Sequence, residues 1–210
     1  MKLIKNYSKY YDSWLYVLRH PISCFKNWRL VKKYPFLLPY TVREGLDEKY
    51  HYQYTALDGM YAGWRKAFGK MMLDDIMKAC KYDEINPKEL CFVEIKEKWG
   101  MCRMTMNNTG HNLQEVLDAY EQVSGNVCWK CGKIDVPVTN FGWILPECRD
   151  CYMDNGRNSA QHYDDAVSKC SEDDCRIPDY YTVHRFGKDG SQYVNIDLTW
   201  ITNRLRGVEK

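Results

Sequence analysis

The sequence predicts an α+β fold, small β-hairpins packed with amphipathic helices. Three observations carry it. Apolar residues recur at helical spacing from Trp64 to Cys80 and from Leu113 to Val123; residues 91–106 alternate with period two; and two Cys-x-x-Cys pairs lie close together. The 210 residues suit one compact domain or two small ones, long enough to bury a core without disulfide staples. A composition of 45% hydrophobic and 28% charged residues excludes wholesale disorder. The formal net charge of +2 argues against a globally basic nucleic-acid binder but leaves room for a local patch.

Four stretches follow in order: a basic aromatic helical extension over 1–40, an α+β body over 41–125, a metal unit over 126–152, and an acidic linker with a C-terminal β-hairpin extension over 153–210. The first holds eight Lys or Arg against Asp12 alone, so it carries +7 and the remainder about −5. Tyr7, Tyr10, Tyr11, Trp14 and Leu18 fall at helical spacing up to Pro21, a second short helix fits 23–33, and Pro35 and Pro39 force an extended segment. The favoured reading packs these aromatics inward and leaves the lysines in water; contact with nucleic acid or a membrane surface are the alternatives.

In the body, Tyr50, Tyr52 and Tyr54 alternate like a strand or extended arm. Trp64, Phe68, Met71/Met72, Ile76 and Ala79 line one face of a helix. A β-hairpin turns at Trp99-Gly100, between Cys91–Lys96 and Met101–Met106. Asn112-x-x-Glu115 matches a capping box and opens a helix that Gly125 closes. Residues 152–178 read as acidic and irregular, and Tyr180–Phe186 with Gln192–Leu198 as a hairpin.

Cys128-Trp-Lys-Cys131 and Cys148-Arg-Asp-Cys151 are separated by 16 residues, a spacing typical of zinc sites. Each pair turns two thiolates toward one point, so Cys128, Cys131, Cys148 and Cys151 are expected to give one structural Zn²⁺ a closed tetrahedral shell. Val136–Val138 and Trp143–Leu145 suggest a hairpin between the pairs, as in a treble clef or zinc ribbon. A second site from His162, Cys170, Cys175 and His184 is an open alternative with loose spacing, while Cys24, Cys80, Cys91 and Cys102 read as small buried apolar residues.

Several chemistries do not fit. A zinc deaminase needs His-x-Glu, and none of the five histidines has Glu at +2. Residues 132–147 contain no histidine for an HNH-type nuclease. Lys96, Lys98, Trp99 and Arg103 on the charged hairpin form a candidate binding surface, against the alternative of a solvated strand face held by cross-strand ion pairs. Glu94 and Glu97, on opposite strand faces, make a poor carboxylate pair. No run approaches the roughly 18 to 20 apolar residues of a membrane span, and no signal-peptide core precedes the body, so cytoplasmic residence is expected.

The order of blocks is itself informative: Tyr34-Pro35-Phe36-Leu37-x-Pro39, Leu57-Asp58-x-Met60, Gly63-Trp64-Arg65-Lys66-Ala67-Phe68-Gly69, Ile95-Lys96-Glu97-Lys98-Trp99-Gly100-x-x-Arg103, Cys128-x-x-Cys131-Gly132 and Gly142-Trp143-Ile144-x-Pro146-x-Cys148-x-x-Cys151. Over residues 34–152 this resembles a family of uncharacterised proteins of bacteriophage genomes and prophages, departing at Met101-Cys102, where similar proteins usually carry Gly/Thr-Leu. The resemblance implies a phage or prophage origin, action in the bacterial host cytoplasm and a zinc-stabilised fold. The expected function is a non-enzymatic accessory protein binding a host or phage macromolecule, with a protein as the first choice of partner. A nucleic-acid-binding module is the alternative, and a small nuclease or nucleotide hydrolase using Glu94, Glu97 or His51 the second.

Overall fold

The computed structural model describes residues 14–140, 142–154, 160–167, 176–187 and 190–208. Its architecture is α+β: helices around three separate two-stranded antiparallel sheets, with a four-cysteine cluster. Helix α1 is Trp14–Arg19 and α2 is Pro21–Lys33, which Pro21 opens rather than precedes. The predicted residues Tyr7, Tyr10 and Tyr11 lie outside the described range. A tight 3-10 turn, Pro35–Leu37, and a short helix α3, Tyr40–Arg43, stand where the prolines were expected to force extension.

The strand expected from Tyr50, Tyr52 and Tyr54 does not form. Tyr52 is left-handed at φ 62°, and Tyr54 Oη donates to Asp47 Oδ2 at 2.8 Å while Tyr50 Oη donates to the Tyr54 carbonyl at 2.7 Å. The side chains thus close a looped segment on itself, so their alternation reflects local ring packing rather than a ladder. It ends in a capped turn, Ala56–Gly59, where the Thr55 amide donates to Asp58 Oδ2 at 2.7 Å.

The helix predicted from Trp64 runs as α4 (Ala62–Trp64), a π turn (Arg65–Gly69) and α5 (Lys70–Tyr82). Trp64, Phe68, Met72, Ile76 and Ala79 are all buried, as the spacing requires. Strands β1 (Phe92–Lys98) and β2 (Met101–Met106) pair across the predicted turn, with Lys96 opposite Arg103. Helix α6, His111–Ser124, packs Leu113, Leu117, Tyr120 and Val123 into the same core. Its start corrects the expected capping box: Gly110 is the N-cap, and Asp83 from the end of α5 accepts from the amides of Asn112 and Leu113 at 3.0 and 2.7 Å. A carboxylate from another helix satisfies the orphan donors, so Asn112 lies inside the helix.

Strands β3 (Val138–Asn140) and β4 (Ile144–Pro146) form the hairpin between the cysteine pairs, followed by α7 (Arg149–Met153). The segment read as irregular contains a helix, α8 (Ala160–Val167), where Tyr163 buries and donates to the Glu147 carbonyl at 3.1 Å. The predicted last hairpin is β5 (Tyr180–Gly187) with β6 (Gly190–Asp197), and a further helix, α9 (Thr199–Arg206), follows it. Ile196, Leu198 and Ile201 join the core that begins at Tyr34. Asp75, buried in α5, accepts from Tyr120 Oη at 2.6 Å and from Arg204 Nη1 at 2.7 Å, tying α5, α6 and α9 together. Partnered in this way, a buried carboxylate is held without the cost of an unpaired charge.

The N-terminal aromatics divide: Tyr34, at the end of α2, is buried as inward packing requires, whereas Phe25 and Trp28 are exposed and Cys24 is the residue of that helix that buries. Among the described residues, no helix is long and apolar enough to cross a membrane.

One buried acid makes stability pH-dependent. Arg103 Nε lies 3.0 Å from Glu121 Oε1, but desolvation outweighs that attraction and raises the Glu121 carboxyl from its ordinary 4.5 to about 7. Between those values the native state binds more protons than the unfolded chain, so this group's contribution to stability is fully present below 4.5 and falls as pH rises through 7. Glu121→Gln is expected to flatten that decline, read from urea midpoints at about pH 5 and about pH 8. Identical declines in the two proteins would assign the pH dependence elsewhere.

Candidate metal centre

The first cysteine pair lies on a knuckle that the backbone builds. Cys128 N donates to the Lys133 carbonyl at 2.8 Å, and Gly132 N donates back to the Cys128 carbonyl at 3.0 Å. Gly132 sits at φ 83°, which a residue with a Cβ rarely adopts. The second pair comes from a helix start: Cys148 is the N-cap of α7, and Cys151 lies within its first turn. Knuckle, hairpin and helix in that order make a treble clef; a ribbon would carry its second pair on another knuckle.

The four Sγ atoms lie within 4.8 Å of one another, close enough to hold a metal ion. All four cysteines are free thiols rather than disulfides. Cys131 Sγ and Cys148 Sγ are 3.7 Å apart, against the edge of about 3.8 Å of a tetrahedron with metal–sulfur bonds of about 2.3 Å. Backbone amides point at two sulfurs, Lys133 N at Cys131 Sγ and Cys148 N at Cys128 Sγ, both at 3.5 Å. Against the desolvation of its site, the Lys133 amide and neighbouring thiols bring Cys131 below the ordinary thiol range, whereas burial pushes Cys148 and Cys151 up. A thiol cluster of this kind favours thiolate at one sulfur first, and a cation is what brings the rest to the charged form. Lys130 Nζ lies beside the shell, 3.0 Å from the Cys151 carbonyl, with its charge paired to Glu147 Oε1 at 2.6 Å.

The cluster is bolted to the body. Gly63 N donates to the Trp129 carbonyl and Trp64 Nε1 to the Val127 carbonyl, each at 2.8 Å. On the other side, Glu97 of β1 accepts from Trp143 Nε1 at 3.0 Å and from Gly100 N at 2.8 Å, joining the tip of the β1–β2 hairpin to the β3–β4 hairpin. Glu97 is therefore a positioning residue, a role that sequence reasoning missed because its partner lies 46 positions away.

The predicted surface residues divide. Trp99, at φ 57° in the hairpin turn, is 68% exposed, and Trp143 is 64% exposed. A bulky residue in the left-handed region is strained, so the turn holds this indole outward at a cost. Lys96 Nζ pairs with Glu94 Oε2 at 2.5 Å and Arg103 pairs with Glu121, while Lys98 is exposed. Two of the candidate catalytic groups hold local roles: Glu94 pairs with Lys96, and Glu97 accepts from Trp143 and Gly100. A cleft of about 560 Å³ between α5, α6 and α9 is lined by Asp75, Lys78, Glu115 and Arg204 among others, and includes none of Glu94, Glu97 and His51.

Of the second expected metal set, Cys170 and Cys175 lie outside the described residues, as does the side chain of His184. His162 Nδ1 instead shares a 2.8 Å hydrogen bond with Tyr152 Oη. Among the described residues, no other group of three or more ligating side chains converges. No family model, no curated protein and no solved structure matches the chain.

Proposed function

We propose that the chain is a zinc-stabilised accessory protein of phage type that binds another protein, of the host or the phage, through the joined tips of its β1–β2 and β3–β4 hairpins. Four thiolates in a tetrahedral set suit Zn²⁺, and a shell closed by protein sulfur leaves no position for substrate, so the ion is structural. The phage assignment and host-cytoplasm setting rest on the resemblance of residues 34–152; a compartment that keeps thiols reduced suits an unoxidised quartet.

The observation that carries the binding reading is the pair of exposed indoles, Trp99 and Trp143, on adjoining hairpins that Glu97 joins through Trp143 Nε1 and Gly100 N. Rigid exposed tryptophans are typical anchors of protein interfaces. Charge favours a protein over a nucleic acid here, because Lys96 is already paired with Glu94 and has less to offer a phosphate chain.

A Trp99→Ala variant is expected to keep its metal and melting temperature while losing at least roughly tenfold in affinity for any protein partner identified by cross-linking at this face. Unchanged affinity would overturn the surface. Salt-sensitive binding of oligonucleotides that requires Lys98 would favour the nucleic-acid alternative instead.

A further inference from the structure

Residues 14–33 carry an exposed apolar row that neither the metal centre nor the hairpin tips use. One side of α2 is fixed to the body: Cys24 is buried, Leu30 and Val31 pack on the core, and Asn27 Nδ2 donates to the Tyr52 carbonyl at 2.9 Å. The other side turns Ile22, Phe25 and Trp28 to solvent, and α1 adds Leu15 and Leu18. Ile22 is 70% exposed and Leu18 73%. Phe25 and Trp28 stack at 5.5 Å, with Lys32 Nζ 5.8 Å from the Trp28 ring centre.

The same stretch holds Arg19, Lys26, Arg29, Lys32 and Lys33 and not one Asp or Glu. Among the described residues, Lys33 alone of these five is ion-paired, to Asp74. Lys26, Arg29 and Lys32 are exposed and interleave with Ile22, Phe25 and Trp28 on the free side of the helix.

We propose that this face seats on a lipid bilayer bearing anionic headgroups. Arg19, Lys26, Arg29 and Lys32, with no ion-pair partner among the described residues, complement such a surface, and each adds attraction within a Debye length of it. The aliphatic residues decide between lipid and nucleic acid. Leu15, Leu18 and Ile22 have no base to stack on, since sequence-tolerant nucleic-acid binding relies on aromatic and cationic side chains. In a bilayer interface the same residues bury at the acyl boundary, with the cations at headgroup level. The attachment is lateral and reversible, because a short amphipathic face lies on the membrane rather than spanning it.

Flotation of the metal-loaded full chain tests this, using phosphatidylcholine vesicles with and without phosphatidylglycerol. The chain is expected to float with the anionic vesicles alone, and added salt is expected to release it. Ile22→Glu/Phe25→Glu is expected to cut the bound fraction roughly tenfold or more at unchanged melting temperature and metal content, because both side chains face water. Failure to float with anionic vesicles at low salt would overturn the proposal. So would a double variant that floats like its parent. Binding of single-stranded DNA that the same substitutions abolish, with vesicles ignored, would assign the face to nucleic acid.

Discussion

Replacing Cys148 with alanine is expected to strip the metal, unfold residues 128–151 and destabilise the rest of the chain. The unit's own buried cluster is small, Cys128, Val136 and Cys148 with Cys131 and Cys151 packed against it, so the metal is the main thing that orders it internally. Metal affinity is then folding energy, of the order of 10–16 kcal/mol for structural zinc in isolated peptides, against a native margin of about 5–15 kcal/mol for a whole domain. The damage spreads because the knuckle supplies acceptors to the body. Without an ordered Trp129 carbonyl, the buried Gly63 N–H is left unpaired, at about 1–3 kcal/mol.

Elemental analysis should find about one metal per parent chain and almost none in the variant. The near-UV dichroism of the tryptophans should collapse alongside it. Cys24→Ala, which removes a buried thiol outside the cluster, should retain the metal. Full metal content in Cys148→Ala would break the quartet. Metal loss with an unchanged melting temperature would mean that the unit contributes nothing to the body.

The local parts of this fold were legible because their signals are local. Period 3.6 from Trp64 to Ala79, alternation on either side of Trp99-Gly100, and paired cysteines each depend on residues a few positions apart. What stayed hidden depends on distant partners. Asn112 looks like an N-cap until Asp83 arrives from another helix, and Tyr50, Tyr52 and Tyr54 look like a strand until the Tyr50 and Tyr54 hydroxyls close a loop around a left-handed Tyr52. Helix α8 was missed because its apolar anchor is the single buried residue Tyr163 in an acidic stretch.

Several of the sequence blocks between Tyr34 and Cys151 touch one another. Gly59, after Leu57-Asp58, abuts Ile95 of the charged hairpin, where a Cβ would come within 2.6 Å of the Ile95 carbonyl oxygen. Gly100 sits against Ile144, and Gly132 against Gly63. Spacing between blocks was visible in the sequence; their pairing across the metal unit was not, because nothing local encodes it.

That pairing yields the second large effect, at Gly63. A Cβ there would run into the carbonyl oxygen of Cys128 and come within 2.6 Å of the Trp129 carbonyl carbon and oxygen. These obstacles are backbone, so no side chain can swing aside, and the knuckle must move off the helix. The shift also stretches the Gly63 N to Trp129 O hydrogen bond and the neighbouring Trp64 Nε1 to Val127 O bond. Gly63→Ala is therefore expected to cost roughly 3–5 kcal/mol by urea unfolding, combining overpacking with loosened buried hydrogen bonds.

Alanine outranks glycine in helix propensity, so in a freely exposed helix the same change would stabilise by up to about 1 kcal/mol. The sign of the effect thus reports the contact itself. Because the displaced atoms belong to Cys128 and its neighbour, metal affinity measured by competition with a chromophoric chelator should fall together with stability, although Gly63 carries no ligand. Gly69→Ala is the control: it lies on the same helical run, and its added Cβ meets only Arg65 side-chain carbons at 3.7 and 3.8 Å. If Gly63→Ala matched Gly69→Ala in both readouts, the close seat of the knuckle on α4 would be wrong, and with it the coupling between metal and body.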